Sequence, residues 1–345
     1  MNEPNPNSTS SKINTFLWYF AKDLIAGTAG GMAGIVAGQP ADTVKVRQQT
    51  VVGQPPSSIL IARNMLRKEG PFSFFRGMVA PLIANAPINA LIFTVYGGII
   101  RHIEDEEHEA DEDLFYDDGD TVPEPKKASL IQQLMAGAAG GLVQCVVACP
   151  SELIKIQQQT YVSTTTTTNT TTTAISGPPS TLNLAKIRIQ QSGVRIGLFQ
   201  GWNATVLRDV PAFGLYFYSF GWFKQLFESF VIEPGVRSDV KIRESGSWVV
   251  DILPTFMAGG MAGVTSWAFT IPCDVIKSTV QALPSTASNT EKKWMYVAKN
   301  GFEKNGMQYF FRGAGPAILR AFPVSAVVFT VYEGIMGLLD QYDGD

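Results

Sequence analysis

The chain is poor in charge, in histidine and in cysteine, and each shortage removes a class of function. Only 17% of its 345 residues are charged, while 45% are hydrophobic; soluble globular domains carry roughly a quarter charged residues. The two histidines, His102 and His108, lie in or beside an acidic run. The apolar segments therefore offer no histidine as general base, metal ligand or triad member. Three cysteines set out no disulfide framework. Cys145 and Cys149 share a helix face at i, i+4, but a metal site would need further ligands beside them. No catalytic residue, metal or cofactor is expected, and no nucleic-acid partner. The opening MNEPNPNSTSSK carries an acid and no Arg, unlike a secretory signal or a typical cleavable presequence.

What charge there is lies unevenly. Twelve of the 30 acids fall in residues 104–124, which hold no Lys or Arg; without them the remainder carries +9, from 27 basic and 18 acidic residues. Such a block reads as a solvated, disordered linker over 104–127. A calcium loop is excluded, because DDGD lacks alternating oxygen ligands with a glycine at the sixth position. The Thr/Asn-rich stretch 163–173 reads as low-complexity padding, and residues 1–16 and 231–247 as a polar tail and a linker.

Against that background stand long uncharged windows: 23 residues at 78–100, 24 at 128–151 and 22 at 252–273. About 20 suffice to cross a bilayer as a helix. Internal repetition extends the pattern. GQPADTVKVRQQ, ACPSELIKIQQQ and TIPCDVIKSTVQ share Pro, an acid two residues on, Lys five on and Gln nine on. The members are Pro40, Asp42, Lys45, Gln49; Pro150, Glu152, Lys155, Gln159; and Pro272, Asp274, Lys277, Gln281. Before each proline come glycines four apart: Gly27 and Gly31, Gly137 and Gly141, Gly259 and Gly263. Small residues at that spacing let membrane helices approach closely. Downstream of each element an aromatic–x–Gly stop ends at Gly77, Gly201 or Gly313, and a proline (Pro87, Pro211, Pro323) follows ten residues later.

Agreement at so many offsets predicts three copies of a helix–loop–helix unit, over 17–103, 128–230 and 248–340. The fold class expected is an all-α membrane protein with six transmembrane helices and pseudo-threefold symmetry. The loops inside the repeats (63–76, 186–195 and 291–312) hold twelve Lys or Arg and three acids. By the positive-inside rule they face the inner, negative compartment, which puts both termini outside.

The motif P-x-[DE]-x-x-[KR], three times in this setting, resembles the signature of the mitochondrial carrier family over residues 17–340. QCVVACPSELIK, TSWAFTIPCDVIKS, LRDVP and LRAFPV look most like its carnitine/acylcarnitine and basic amino-acid branch. The resemblance implies a monomer in the inner mitochondrial membrane, in contact with lipid (cardiolipin by family likeness), that moves a small-molecule substrate by alternating access. Carnitine or acylcarnitine is the first expectation and a basic amino acid the second; a proton leak or channel on the same fold is a further alternative.

The same resemblance assigns gates. Prolines at 40, 150 and 272 remove a backbone donor and kink their helices. Asp42 would then meet Lys155, Glu152 would meet Lys277, and Asp274 would meet Lys45, closing a matrix-side ring braced by Gln49, Gln159 and Gln281. Independent surface ion pairs would contribute only about 0–1 kcal/mol each, and threefold repetition at a kink argues against that reading. The outer gate departs from the family pattern: YGGII, FGWFK and YEGIM keep Tyr96, Phe220 and Tyr332 but only Lys224 and Glu333 as charges, with Arg101 one position late. A weak outer ring predicts a resting carrier open to the outside.

Gates obey the threefold pattern, whereas a small solute has no such symmetry, so binding residues should break it. Seven and eight positions after each stop glycine the copies read Ala84–Asn85, Arg208–Asp209 and Arg320–Ala321. Charge at that depth costs roughly 2.5–3.5 kcal/mol on insertion scales and usually lines a cavity. Adjacent helix positions point about 100° apart, which argues against a self-contained Arg208–Asp209 pair. The expectation is a zwitterion with its carboxylate on Arg208 or Arg320 and its cation on Asp209. Ile88 stands where ornithine-type carriers have an acid, so with Ala84 and Phe213 it is expected to receive an apolar arm. Tyr216 and Trp267 offer cation–π faces.

Overall fold

The computed structural model describes residues 9–51, 53, 56–114, 128–161, 179–231 and 248–344. Its elements repeat as long helix, short helix, long helix. The first set is α1 (Thr9–Thr50), α2 (Ser58–Glu69) and α3 (Val79–Leu114); the second is α4 (Leu130–Thr160), α5 (Thr181–Leu198) and α6 (Trp202–Val231). The third is α7 (Trp248–Ala282), α8 (Trp294–Asn305) and α9 (Ala314–Gly344). Among the described residues there is no strand.

Three expectations change. The connections inside the repeats are not plain loops, because α2, α5 and α8 occupy them. These are amphipathic: α2 buries Ile61 and Met65 against Val44, and α8 buries Val297 among Val275, Val280 and Tyr309. The polar tail is shorter than expected, since α1 begins at Thr9. Nor is the acidic run a loop from residue 104, because α3 continues to Leu114. Glu and Ala are good helix formers, and the apolar helix that precedes them supplies the nucleus. Residues 115–127, the 163–173 insertion and residues 232–247 lie outside the described set.

Beside an apolar core, several long polar side chains are buried and several large apolar ones are exposed, both unusual in a soluble protein. Lys277, Gln49, Gln159, Gln281 and Asp209 are buried. Ile83 and Phe93 on α3, Ile131 and Met135 on α4, Phe269 on α7 and Leu319 on α9 are exposed. Lipid around the long helices accounts for both. Two described stretches, Pro71–Glu104 and Leu130–Thr160, are long and apolar enough to cross a membrane. Each conserves helix through its proline, Pro87 and Pro150 respectively; α1 likewise runs through Pro40, and α7 spans Pro272.

The described chain forms two compact units. One comprises residues up to Ala90, Ser151–Leu198 and the chain from Arg312; the other comprises Leu91–Pro150 and Phe199–Phe311. In the first, α1 packs along α9. A Cβ at Gly34 would lie 2.4 Å from Val328, and one at Gly38 would lie 2.9 Å from Val324. In the second, α6 packs on α7, with Ser266 donating to the Ala212 carbonyl at 2.7 Å. α4 also meets α6 closely, since a Cβ at Gly137 would lie 2.7 Å from the Phe213 oxygen. The glycine expectation is thus only partly met: Gly31, Gly137 and Gly141 sit at close approaches, whereas a Cβ at Gly27, Gly259 or Gly263 would meet nothing within 4 Å.

The three stop glycines behave alike. Gly77, Gly201 and Gly313 have φ of 78°, 84° and 76°, a left-handed conformation that only glycine adopts readily. The turn they make aims the preceding side chain at the end of a long helix. Arg76 donates to the Tyr161 carbonyl at 3.2 Å, beyond α4. Gln200 donates to the Val280 and Leu283 carbonyls at the end of α7. Arg312 donates to the Val51 and Gly53 carbonyls, beyond α1. Gln200 thereby satisfies the Val280 carbonyl in the last turn of α7, and Arg76 and Arg312 fasten the chain just past α4 and α1.

Candidate functional site

Near the C-terminal end of α1, Asp42 lies between two cations from other helices. Lys155 of α4 donates to Oδ2 at 2.7 Å, and Arg320 of α9 donates to Oδ1 at 2.5 Å. All three side chains are largely buried, at 14%, 17% and 21% exposure. The Asp42–Lys155 pair expected from the repeat is therefore present. Arg320 differs from expectation: it has no acidic neighbour beside it in its own helix, yet Asp42 partners it across the α1–α9 contact. The other two expected pairs, Glu152 with Lys277 and Asp274 with Lys45, each take one member from each unit, and they remain a proposal.

The glutamines act on the surrounding structure. Gln49 donates to the Arg312 carbonyl at 3.2 Å, Gln159 to the Thr43 hydroxyl at 3.1 Å, and Gln281 to the Thr205 hydroxyl at 3.3 Å. Outside the apolar spans, Glu69 at the end of α2 accepts from both Arg47 and Arg76. Those bonds, led by the one from Arg47, hold its carboxyl below the ordinary glutamate value.

In the second unit Arg208 and Asp209 do pair, contrary to expectation. The Arg208 guanidinium turns back along α6 so that Nε reaches Asp209 Oδ1, while Nη1 extends to Asp274 Oδ1 on α7 at 3.3 Å. A long, flexible arginine overcomes the 100° divergence of neighbouring Cβ vectors, which a short side chain could not. Asp209 is 1% exposed and also accepts from Gln144 at 2.8 Å, with the Lys277 ammonium 3.7 Å away.

Arg208 and Asp274 also border a cavity of about 290 Å³, walled by Phe213, Tyr216 and Trp267. The aromatic residues singled out for cation–π contact are thus gathered around one space, with a guanidinium and a carboxylate beside them. Sequence reasoning missed Asp274 as a cavity residue because its threefold motif assigned it wholly to a gate. Asn85 is half-buried and donates to the Thr28 carbonyl at 3.3 Å; Ala84 is buried and Ile88 half-buried.

Of the residues expected at an outer gate, Tyr96 stacks on Phe217 with ring centroids 3.8 Å apart. Phe220, Lys224 and Tyr332 are half-buried. The Glu333 side chain lies outside those described.

Three repeats of long helices that expose apolar side chains and bury ion pairs within each unit are features of a membrane solute transporter. The chain belongs to the mitochondrial carrier protein family, whose pattern matches residues 18–107, 126–230 and 249–343. It is 31% identical over 332 residues to the mitochondrial basic amino acids transporter of Rattus norvegicus, covering 94% of this chain and 93% of that one. It is 32% identical over 314 residues to the mitochondrial arginine transporter BAC2 of Arabidopsis thaliana, covering 91% and 90%. The mitochondrial carnitine/acylcarnitine carrier protein of Mus musculus is 31% identical over 329 residues, covering 92% and 94%.

Proposed function

We propose that this chain exchanges basic amino acids across the mitochondrial inner membrane, as a monomer with six spanning helices, its termini outside, working by alternating access. This reverses the order of substrates expected from sequence, where carnitine or acylcarnitine came first. Two supports favour the reversal. The relatives just described include transporters named for basic amino acids and for arginine. The argument against a doubly cationic solute was the missing acid at Ile88, and Asp274 supplies an acid at the cavity.

The observation that carries the reading is this cavity, lined by Arg208, Asp274, Tyr216 and Trp267. A substrate carboxylate would meet Arg208 by a charge-assisted contact. A substrate guanidinium or ammonium would lie against the aromatic faces and donate hydrogen bonds to the Asp274 carboxylate. Occupying either group competes with the Arg208–Asp274 pair, so binding at the cavity loosens a contact at the gate. The Asp42–Lys155 pair would be one third of the matrix-side ring, with Glu152–Lys277 and Asp274–Lys45 completing it.

A thermal-shift series on the purified carrier tests the reading. L-arginine, L-lysine and L-ornithine should raise the melting temperature, while carnitine and acetylcarnitine leave it unchanged. Stabilisation by the carnitines alone would return the acylcarnitine reading to first place.

A further inference from the structure

We infer that Tyr309 is a positioning residue for the motif side chains of α7. It seats that helix on α8, in place of the ion triad Arg47–Glu69–Arg76 of the first copy. The inference stands on packing within the third copy; the proposed transport of arginine supplies only a substrate for the assay.

The last turns of α7 have two faces. At about 100° per residue, Asp274, Lys277 and Gln281 fall along one side, and Val275, Ile276, Thr279 and Val280 along the other. The second side is a packed core, in which Val275, Ile276 and Val280 are buried with Val297 of α8 and Tyr309. The Tyr309 hydroxyl donates to Thr279 Oγ1 at 3.2 Å, and Thr279 donates in turn to the Val275 carbonyl at 2.9 Å. Both faces belong to one helix, so the seat of the second fixes the direction of the first. Room for the ring comes from Gly301, where a Cβ would lie 2.3 Å from Tyr309 Cε1.

The other copies fill the same two positions with the sizes reversed. The positions lie five residues before a corner glycine (Gly70, Gly193 or Gly306) and four before the stop glycine. The first copy has Met65 and Ser73 there, each 1% exposed. The second has Arg188 and Gly197, and Arg188 Nε donates to the Gly197 carbonyl at 3.1 Å. One large side chain thus fills each corner, and only the third copy sends it from the turn instead of the short helix.

The reversal has a chemical reason. In the first copy Arg47 of the long helix is bound by Glu69 of the short one, which also accepts from Arg76. The third copy keeps Arg312 but has Thr279 and Asn305 in place of Arg47 and Glu69, a pair that cannot form a salt bridge. Tyr309 ties the turn to the long helix at that same position, by ring burial and a hydroxyl.

The test is a size-reversal cycle in proteoliposomes, read as maximal exchange rate, half-saturation for L-arginine and melting temperature. Gly301→Met alone displaces the ring and should lower the rate by roughly tenfold, as should Tyr309→Ser alone. Together they rebuild the first copy's arrangement and should recover most of the rate. Half-saturation should stay as in wild type, because neither residue borders the cavity. Tyr309→Phe keeps the ring and decides the matter if the larger changes do not insert. It should slow exchange several-fold, Thr279→Val should do the same, and the two together should lose no more than either alone. A Gly301→Met loss that is the same with and without Tyr309→Ser would overturn the pairing. Additive losses at Tyr309 and Thr279 would overturn the tie. A rise in half-saturation matching the fall in rate would place the effect at the substrate and also overturn the inference. If wild type takes up no L-arginine, the substrate reading alone fails, and the melting temperatures decide the inference by the same cycle.

Discussion

Arg320 and Asp42 meet at 2.5 Å between α9 and α1, and the same step in the second copy joins Arg208 to Asp274 at 3.3 Å. The third copy of this contact is missing, because Ala84 occupies the place of the arginine. Two of three motif acids are thus clamped by the preceding helix, and Glu152 has no arginine at that position to clamp it. Replacing Ala84 with Arg should slow exchange several-fold by tightening the inner end. Exchange rates against internal substrate concentration check this; an unchanged maximal rate would mean that the arginines do not restrain the gate.

Removing Arg320 acts in the opposite sense. Arg320→Gln deletes a charge-assisted contact to Asp42 and tests whether Arg320 also serves as a cation for the substrate carboxylate. Such a loss corresponds to about 1.5–3 kcal/mol, or roughly ten- to a hundredfold in affinity. Solutes bearing a carboxylate should lose most in competition assays. Equal loss for agmatine would assign Arg320 to the gate alone.

The Asp42–Lys155 pair invites a charge reversal. Lys155→Glu should reduce transport to background by opposing like charges where α1 meets α4, and adding Asp42→Lys should restore part of it. Arg320 would then face a lysine, so full recovery is not expected. A double variant no better than the single would refute the partnership as a transport element.

Acid should weaken the inner cluster around Glu69. Its pKa is lowered in the folded state by Arg47 and Arg76, so its stabilisation is fully present above the ordinary value of 4.5. That stabilisation is lost as pH falls through the lower, folded value. Glu69→Gln should lower the melting temperature at neutral pH, and the gap from wild type should narrow below pH 4.5. A gap independent of pH would show that packing, not ionisation, gives Glu69 its effect.

Much of this was legible as repetition. The motif prolines, acids, lysines and glutamines, and the stop glycines with positive φ, follow from fixed offsets that any threefold copy must keep. Side-chain reach was not legible. Spacing put Arg208 and Asp209 on diverging vectors, but a flexible guanidinium closes the gap. The glycine row at 30, 34 and 38 lay outside the offsets shared by all three copies, because it serves the α1–α9 contact alone. Asp274 shows the same limit from another side: a residue can satisfy a symmetric motif and still border an asymmetric cavity.

The most direct test of the central claim is counter-exchange in proteoliposomes of the purified protein. Uptake of labelled L-arginine should depend on internal L-arginine or L-lysine and exceed carnitine uptake by roughly tenfold or more. Equal or faster uptake of labelled carnitine, driven by internal carnitine, would contradict a basic amino acid as the solute this cavity is built to carry.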